Sequence, residues 1–191
     1  TTAAQNRKKL LADYYTMKKM ALSGAKNNGV RAYFIDPRKN PSRARRLIER
    51  LLMQGIEVEV AEEDFRMKNL RSYWDATSRT VTLPQGTYII RLSQPLSPLI
   101  NVILQFDPRM TTAFLQSERE SLEKGKGTRL YEVSAWSVLL AYNVDAYISS
   151  KEPSVKTTKL NEVQEPTGKV MNPEPTFGFI IDYQDDHAID A

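Results

Sequence analysis

The sequence predicts an α/β fold: a layered, mostly parallel sheet of about five strands flanked by helices. Two observations predict it. Residues 30–61 read as strand, helix and strand in succession, and two strands joined by a packed helix are typical of a right-handed βαβ unit in a parallel sheet. Further along the chain, apolar strand-like segments alternate with helix-like segments, which is the order that builds α/β layers.

The two strands of this opening unit have different patterns. Val30 to Ile35 is β-branched and aromatic, as expected for a strand that is covered on both faces. Asp36-Pro37 ends it, because a proline restricts the residue before it and cannot donate to a ladder. Ile56, Val58 and Val60 then alternate with glutamates, which predicts a second strand.

The helix between these strands has start, face and stop signals. Asn40 is predicted to cap it with its side-chain oxygen, and Pro41 suits the first helical position because the amide that it lacks had no helical partner. Gly55 supplies the left-handed residue that ends it. The apolar stripe expected to face the sheet consists of Ala44, Leu47, Ile48, Leu51 and Leu52.

A leading helix and several later elements complete the predicted domain, which covers residues 1–150. The leading helix occupies residues 1–24 and is expected to pack on the fold through Leu10, Tyr14, Met17 and Ala21. Residues 62–72 are ambiguous between a loop and a short helix. Further strands are predicted at 79–83, 87–92 and 144–148, the first two joined tightly or as a hairpin at Pro84-Gln85-Gly86, and further helices at 93–105, 110–124 and 131–142.

The last part of the chain differs in composition. Residues 151–176 contain four prolines and little periodicity, which predicts a linker or a strap on the surface. Residues 177–191 then read as a final strand, Phe177 to Asp182, and a truncated helix capped near Asp186. This segment is expected either to join the sheet or to start a further unit.

Composition excludes several classes of protein. The chain of 191 residues contains 41% hydrophobic and 26% charged residues and no cysteine, so disulfides, thiolate metal sites and cysteine nucleophiles are excluded. No apolar run approaches the roughly 20 residues of a membrane span. The first 15 residues do not fit a signal peptide, and without an initiator methionine the sequence is expected to be a piece of a longer chain.

Few residues fit a catalytic or metal-binding pattern. His187 is the sole histidine, which argues against a zinc centre and a Ser-His-Asp triad. Asp182, Asp185, Asp186 and Asp190 do not have calcium-loop spacing and are expected to cap a helix. Residues 123–129 lack the spacing of a phosphate-binding loop, and no GxGxxG turn follows a predicted strand. No catalytic residue, metal ligand or cofactor is therefore expected.

Three sequence blocks resemble a known family. They are YFIDPRKNPSRARRLIERLLMQGIEVEVA, LPQGTYIIRLSQPLSPLINVIL and YEVSAWSVLLAYNVDAYI. Together they look like the region downstream of the catalytic domain in large bacterial proteins of the zinc carboxypeptidase (carboxypeptidase A-like) family, over roughly residues 7–150 and into the tail. In that family the region is similar to class I glutamine amidotransferases, so the resemblance implies an amidotransferase-like or flavodoxin-like sheet.

The resemblance implies a role but no activity. The family's zinc ligands and catalytic glutamate belong to another domain, and an amidotransferase needs a cysteine that this sequence lacks. It therefore implies an accessory domain of an exported, periplasmic or secreted protein. Such a domain would pack on the peptidase domain of the same parent chain, which would hold the zinc, or present substrate to it.

Two other functions stay open. One is a binding module for a small ligand, peptide or glycan at the carboxyl ends of the strands, with Asp36, Asn40 and Gln94 as the ligand-binding residues. The other is nucleic-acid binding by residues 1–50, which carry 13 Lys or Arg against three acids. We favour this second alternative less, because most of these charges occupy helix positions opposite the apolar stripes, where a solvated face is expected.

Overall fold

A computed structural model describes residues 2–23, 29–75, 77–106, 110–129, 137–163, 174 and 176–178. The helices in these ranges are α1 (Thr2–Gln5), α2 (Arg7–Ser23), α3 (Pro41–Met53), α4 (Ser97–Ile103), α5 (Thr112–Glu123) and α6 (Val138–Tyr142). The strands are β1 (Ala32–Asp36), β2 (Val58–Ala61), β3 (Phe65–Ser72), β4 (Ser78–Leu83), β5 (Tyr88–Arg91), β6 (Asp145–Ser149) and β7 (Thr157–Leu160).

The described strands form one sheet in the order β4-β3-β6-β1-β5-β2-β7. Every pairing in it is antiparallel. At the centre, Ile35 of β1 pairs with Tyr88 of β5 on one side and Ala146 of β6 on the other. The predicted layered, mostly parallel sheet of about five strands, and with it the amidotransferase-like or flavodoxin-like arrangement, is therefore wrong.

The error lies in the pairing of the strands and not in the opening elements. β1, α3 and β2 are present close to their predicted bounds, and β1 and β2 run in the same direction, since both pair antiparallel with β5. β5 lies between them, so they are not neighbours. With the helices that join β5 to β6, the order β6-β1-β5-β2 is the split β-α-β arrangement of ferredoxin-like domains.

The sheet is covered on both faces. Tyr33 and Ile35 of β1 belong to the core on the helical face, whereas Phe34, which points the other way, packs in a second cluster. The helical core also contains Ala44, Leu47, Ile48, Leu51, Ile100, Leu104 and Leu139, and the second cluster contains Leu70, Leu83, Ile89 and Tyr147, with Val155 packed against it. All five residues of β1 are buried, which confirms the prediction of a strand covered on both faces.

Glycines fix two of the connections. After α3, Gly55 has a φ of 79°, and its N-H donates to the carbonyl of Leu52 (2.8 Å), so the predicted end of the helix is confirmed. Gly86, with a φ of 85°, lies in the turn between β4 and β5. That turn is a tight connection but not a hairpin, because β4 pairs with β3 and β5 pairs with β1 and β2.

Other segments differ from their predictions. The ambiguous segment 62–72 contains β3, and the segment expected to be a linker or strap contains β7, which pairs with β2. α6 covers only the last residues of the predicted helix at 131–142, whose residues 131–136 lie outside the described part. The predicted final strand and truncated helix at 177–191, with His187 and its neighbouring aspartates, also lie outside it from residue 179 onwards.

Candidate functional site

Asp36 lies at the carboxyl end of β1, where it is buried and forms an ion pair. The guanidinium of Arg38 donates from Nη2 to Oδ2 (2.6 Å) and from Nε to both carboxylate oxygens (3.0 Å each), and the Arg38 N-H donates to Oδ1 (3.0 Å). These side-chain hydrogen bonds, and then the charge of Asp36, raise the pKa of Arg38 above its ordinary value. The carboxylate therefore organises the turn into α3.

Asn40 is buried at the start of α3 but does not cap the helix with its side chain. Its Nδ2 instead donates to the carbonyl oxygen of Asn143 (2.6 Å), at the end of α6. Asn143 has the left-handed conformation, with a φ of 47°. The prediction that the side-chain oxygen of Asn40 caps α3 is therefore wrong, and the side chain connects α3 to α6 instead.

Gln94 lies just after β5 and is also buried. Its Oε1 accepts from the N-H of Glu57 (2.8 Å), and its Nε2 donates to the carbonyls of Glu57 (3.0 Å) and Arg91 (2.7 Å). The side chain thus pairs with backbone as a neighbouring strand would, and it fixes the entry to β2 against the end of β5.

Asp36 and Asn40 are four residues apart in the chain, at the end of β1 and at the start of α3, and the structure separates both of them from Gln94. β1 and β5 are antiparallel, with Ala32 opposite Arg91, so the carboxyl end of β5 lies at the amino end of β1. Asp36 is four residues further along β1, roughly 13 Å at about 3.3 Å per residue. The three residues predicted to bind a ligand therefore do not form one site.

A small surface cluster beside Asp36 was not predicted. Asp145 at the start of β6 accepts from the indole Nε1 of Trp74 (3.1 Å) and pairs with Lys39 (3.4 Å). The Lys39 ammonium also lies 5.0 Å from the Trp74 ring centroid, a cation-π distance. The side chain of Trp74 is about half exposed. Because these residues are far apart in sequence, no local pattern could have brought them together.

Among the described residues, the largest group of exposed apolar side chains lies on α2. We define the α2 apolar surface as the exposed side chains Leu10, Leu11, Tyr14, Tyr15, Met17, Met20 and Leu22. Leu11 and Tyr15 are 68% and 67% exposed. With roughly 200 Å² for a fully exposed large side chain, these side chains together expose on the order of 750 Å² of mainly apolar area. At about 100° per residue they are spread over roughly 220° of the helix, so they form a band around more than half of α2. The largest apolar patch on a typical monomer is about 300–600 Å², and larger ones mark interaction sites.

α2 is attached to the domain at its carboxyl end. Ala21 is buried, and its carbonyl accepts from the Ser97 hydroxyl (3.2 Å). The Lys18 ammonium donates to the carbonyl of Pro95 (3.3 Å), and a cavity of about 240 Å³ lies between α2 and the start of α4. The predicted packing of this helix through Leu10, Tyr14, Met17 and Ala21 thus holds for Ala21, while the first three remain exposed.

α5 also exposes apolar residues, and its end is closed by a polar contact. Gly125 follows the end of the helix with a left-handed φ of 67°. Glu118 is buried and accepts from the N-H and Nε of Arg129 (2.6 Å each) and from the Thr128 hydroxyl (3.0 Å). The backbone N-H of Arg129 does most to hold the pKa of Glu118 below its ordinary value. Leu115 and Leu122 on this helix are both about half exposed.

Across the described ranges, no three His, Asp or Glu side chains are grouped so that they could hold a metal ion. None of the helices in these ranges combines the length and the apolar composition that crossing a membrane requires. No protein-family model, no curated protein and no solved structure matches the chain.

Proposed function

We propose that this chain is a non-catalytic accessory domain that docks on another domain through the α2 apolar surface. The observation that carries the proposal is the area of this surface. A groove that encloses α2 would cover on the order of 750 Å² of mainly apolar area, which is close to the roughly 800 Å² that each partner contributes to a standard protein interface. The two tyrosines of the α2 apolar surface are of a residue type that is enriched in interfaces.

Charge favours an acidic partner. α2 carries Arg7, Lys8, Lys9, Lys18 and Lys19 against Asp13. Pairing α2 with the same helix of a second copy would place like charges together, whether the two helices ran parallel or antiparallel. An apolar groove with an acidic rim would complement the helix on both counts. The family resemblance supports, as this partner, the peptidase domain of a longer, exported zinc-carboxypeptidase-like protein.

A titration of this chain against the separately purified peptidase domain, followed by calorimetry, tests the proposal. Leu11→Gln and Tyr15→Gln replace exposed side chains, so both variants are expected to fold with stability within about 0.5 kcal/mol of the wild type. Each is expected to weaken binding about tenfold or more, as for central residues of an interface.

Leu115→Gln and Leu122→Gln on α5 are the matched controls, because they make the same kind of change at similarly exposed leucines. They are expected to change the affinity less than about twofold. Absence of binding, or equal effects of the α2 and α5 variants, would contradict the proposal. The proposal would also be contradicted if sedimentation analysis showed a dimer and Leu11→Gln dissociated it, because a second copy of the chain would then occupy the surface.

A further inference from the structure

β3 and β4 form a two-stranded ribbon at one edge of the sheet. β4 is the last strand of the described order, and β6 pairs with β3 only at Arg71 and Ser72. From Phe65 to Leu70, β4 is therefore the one neighbouring strand of β3 within the described part of the chain. One side of this ribbon packs in the second cluster, and the other side faces solvent.

A β-bulge sets which side chains of β3 face solvent. Between Met67 and Leu70, β3 has two residues where the paired segment of β4 has one, and Asn69 in the bulge has a left-handed φ of 58°. Since side chains alternate along a strand, Arg71 would point inward and Leu70 outward without the extra residue. With the bulge, Leu70 is fully buried and Arg71 is exposed. The exposed cations on the solvent side are thus Arg66, Lys68 and Arg71.

β4 adds hydroxyl groups to the same side of the ribbon. Thr82 is the partner of Arg66 in the ladder, and paired residues point to the same side of a sheet. Ser78 is likewise the partner of Arg71, and Thr80 lies exposed between them. From Ser78 to Thr82 the strand rises about 14 Å, so the row of cations has about this length. We define the outer face of the ribbon as the side chains of Arg66, Lys68, Arg71, Ser78, Thr80 and Thr82.

The ribbon does not neutralise the positive charge of its outer face. Neither β3 nor β4 contains an acidic residue, and none of the three cations has a carboxylate partner among the described residues. The charge of Arg71 acts on the hydroxyl of Tyr33, but burial raises the pKa of that hydroxyl to about 12, so it is neutral at pH 7. Of the acids that precede β3, Glu62 pairs with Lys156 (2.6 Å), and Asp64 accepts from a backbone N-H in the turn after β4 (2.7 Å).

We propose that the outer face of the ribbon binds duplex DNA, with the ribbon in the major groove and its cations on the phosphates. The major groove is about 12 Å wide and admits a two-stranded β-ribbon. Arginine, lysine, serine and threonine are among the side chains that donate to phosphate oxygens and fix the position of a protein on DNA. The outer face consists of these residue types alone, and its length of about 14 Å matches about four base-pair steps of 3.4 Å.

A duplex suits the outer face better than a single strand or an acidic protein. Proteins that bind single strands without sequence preference stack the bases on aromatic side chains, and the six residues of the outer face include no aromatic residue. The centre of a protein interface is enriched in aromatic residues and methionine and depleted in lysine and serine. A face made of cations and hydroxyls therefore fits the backbone of a duplex.

Fluorescence anisotropy with a labelled, random-sequence DNA duplex of about two helical turns tests the proposal on the full chain. At about 0.1 M salt the wild type is expected to bind with a dissociation constant of about 1–100 μM. Arg66→Gln/Lys68→Gln/Arg71→Gln is expected to weaken binding at least about tenfold. Because about three phosphate contacts are lost, the slope of log K against log salt should become less negative by about 2.7.

The matched control is Arg7→Gln/Lys8→Gln/Lys9→Gln, which removes the same charge from exposed positions on α2. It is expected to change the affinity less than about twofold, because charges further apart than about 10 Å are largely screened at this salt concentration. Equal weakening by both triple variants would overturn the proposal, since the net charge of the chain and not the outer face would then attract the DNA.

Three other results would also overturn it. They are no saturable binding up to about 1 mM protein, equally tight binding of single-stranded oligothymidylate with the same number of phosphates, and equally effective competition by polyglutamate of matched charge. The last result would assign the outer face to an acidic protein. If the triple variant on β3 does not fold, Arg66→Gln/Lys68→Gln serves, because both residues are exposed, and it should change the slope by about 1.8.

Discussion

Replacing Gln94 tests whether this residue has a structural role. Its amide makes three hydrogen bonds to backbone groups, two with Glu57 and one with Arg91. The side chain is 3% exposed, so water cannot replace these bonds without a local opening. Gln94→Ala is therefore expected to loosen the contact between the end of β5 and the start of β2.

The magnitude follows from the number of bonds. A net hydrogen bond in a protein contributes about 1 kcal/mol, and a buried group left without a partner costs about 1–3 kcal/mol. Three bonds predict a loss of about 3 kcal/mol in the free energy of unfolding. For a domain of this size the melting temperature should fall by about 6–12 °C.

Urea denaturation monitored by circular dichroism measures this loss. Gln94→Leu keeps most of the side-chain volume and removes every hydrogen bond, so it separates the polar contribution from the cavity that Gln94→Ala leaves. Gln85→Ala makes the same change at an exposed position in the turn after β4 and is expected to stay within about 0.5 kcal/mol of the wild type.

The reasoning is refuted if Gln94→Leu and Gln94→Ala are as stable as Gln85→Ala. It is also refuted if only Gln94→Ala is destabilised, because the cavity and not the hydrogen bonds would then explain the loss. Stability unchanged in all three variants would return Gln94 to the set of candidate ligand residues.

Three further predictions concern the core, one helix end and a buried tyrosine. Burial raises the pKa of Tyr33 to about 12, so the folded state holds this proton more tightly than the unfolded state. The free energy of unfolding should therefore fall by up to about 3 kcal/mol between about pH 10 and pH 12. Urea denaturation at both ends of this range should show a smaller fall for Tyr33→Phe. Phe34→Ala should cost about 3–5 kcal/mol because Phe34 is fully buried, whereas Leu11→Ala on the exposed α2 should cost less than about 0.5 kcal/mol by the same measurement. Asn143→Ala should lower the urea midpoint by the equivalent of about 1 kcal/mol, because alanine disfavours the left-handed conformation, and Asn143→Gly should not.

Local signals predicted β1, α3 and β2 well because each depends on residues close in sequence. Proline, asparagine and glycine punctuate these elements, and the stripe of Ala44, Leu47, Ile48 and Leu51 is buried as expected. The pairing of the strands depends on β5 and β6, which follow much later in the chain. Nothing in residues 30–61 specifies that β5 enters between β1 and β2, so the adjacent parallel pair was a reasonable but wrong prediction.

The composition of β1 was also misleading for a physical reason. An antiparallel sheet with one open face alternates apolar and polar residues, whereas a parallel sheet covered by helices does not. β1 does not alternate because apolar side chains of β3 and β4, together with Val155, pack in one cluster with Phe34 on its second face. Continuous burial therefore identifies a strand with two covered faces, and it does not identify the direction of that strand's neighbours.

The candidate ligand residues show a similar limit. Asp36, Asn40 and Gln94 are all buried polar side chains, so the sequence identified positions that need polar contacts. Each of them finds those contacts in the protein, with Arg38, with Asn143 and with the backbone at Glu57. The rule that places ligands at the carboxyl ends of strands applies to open parallel sheets, and in this antiparallel sheet successive strand ends lie at opposite edges.

For α2, amphipathic spacing predicts a helix with an apolar side, but it does not say whether the cover comes from the same domain. In α3 the buried apolar stripe and the arginine side chains lie on different sides of the same helix. The buried stripe and the row of Arg43, Arg46 and Arg50 are centred about 120° apart at 100° per residue. Changes to the arginine row therefore leave the packing of Leu47 and Leu51 in place.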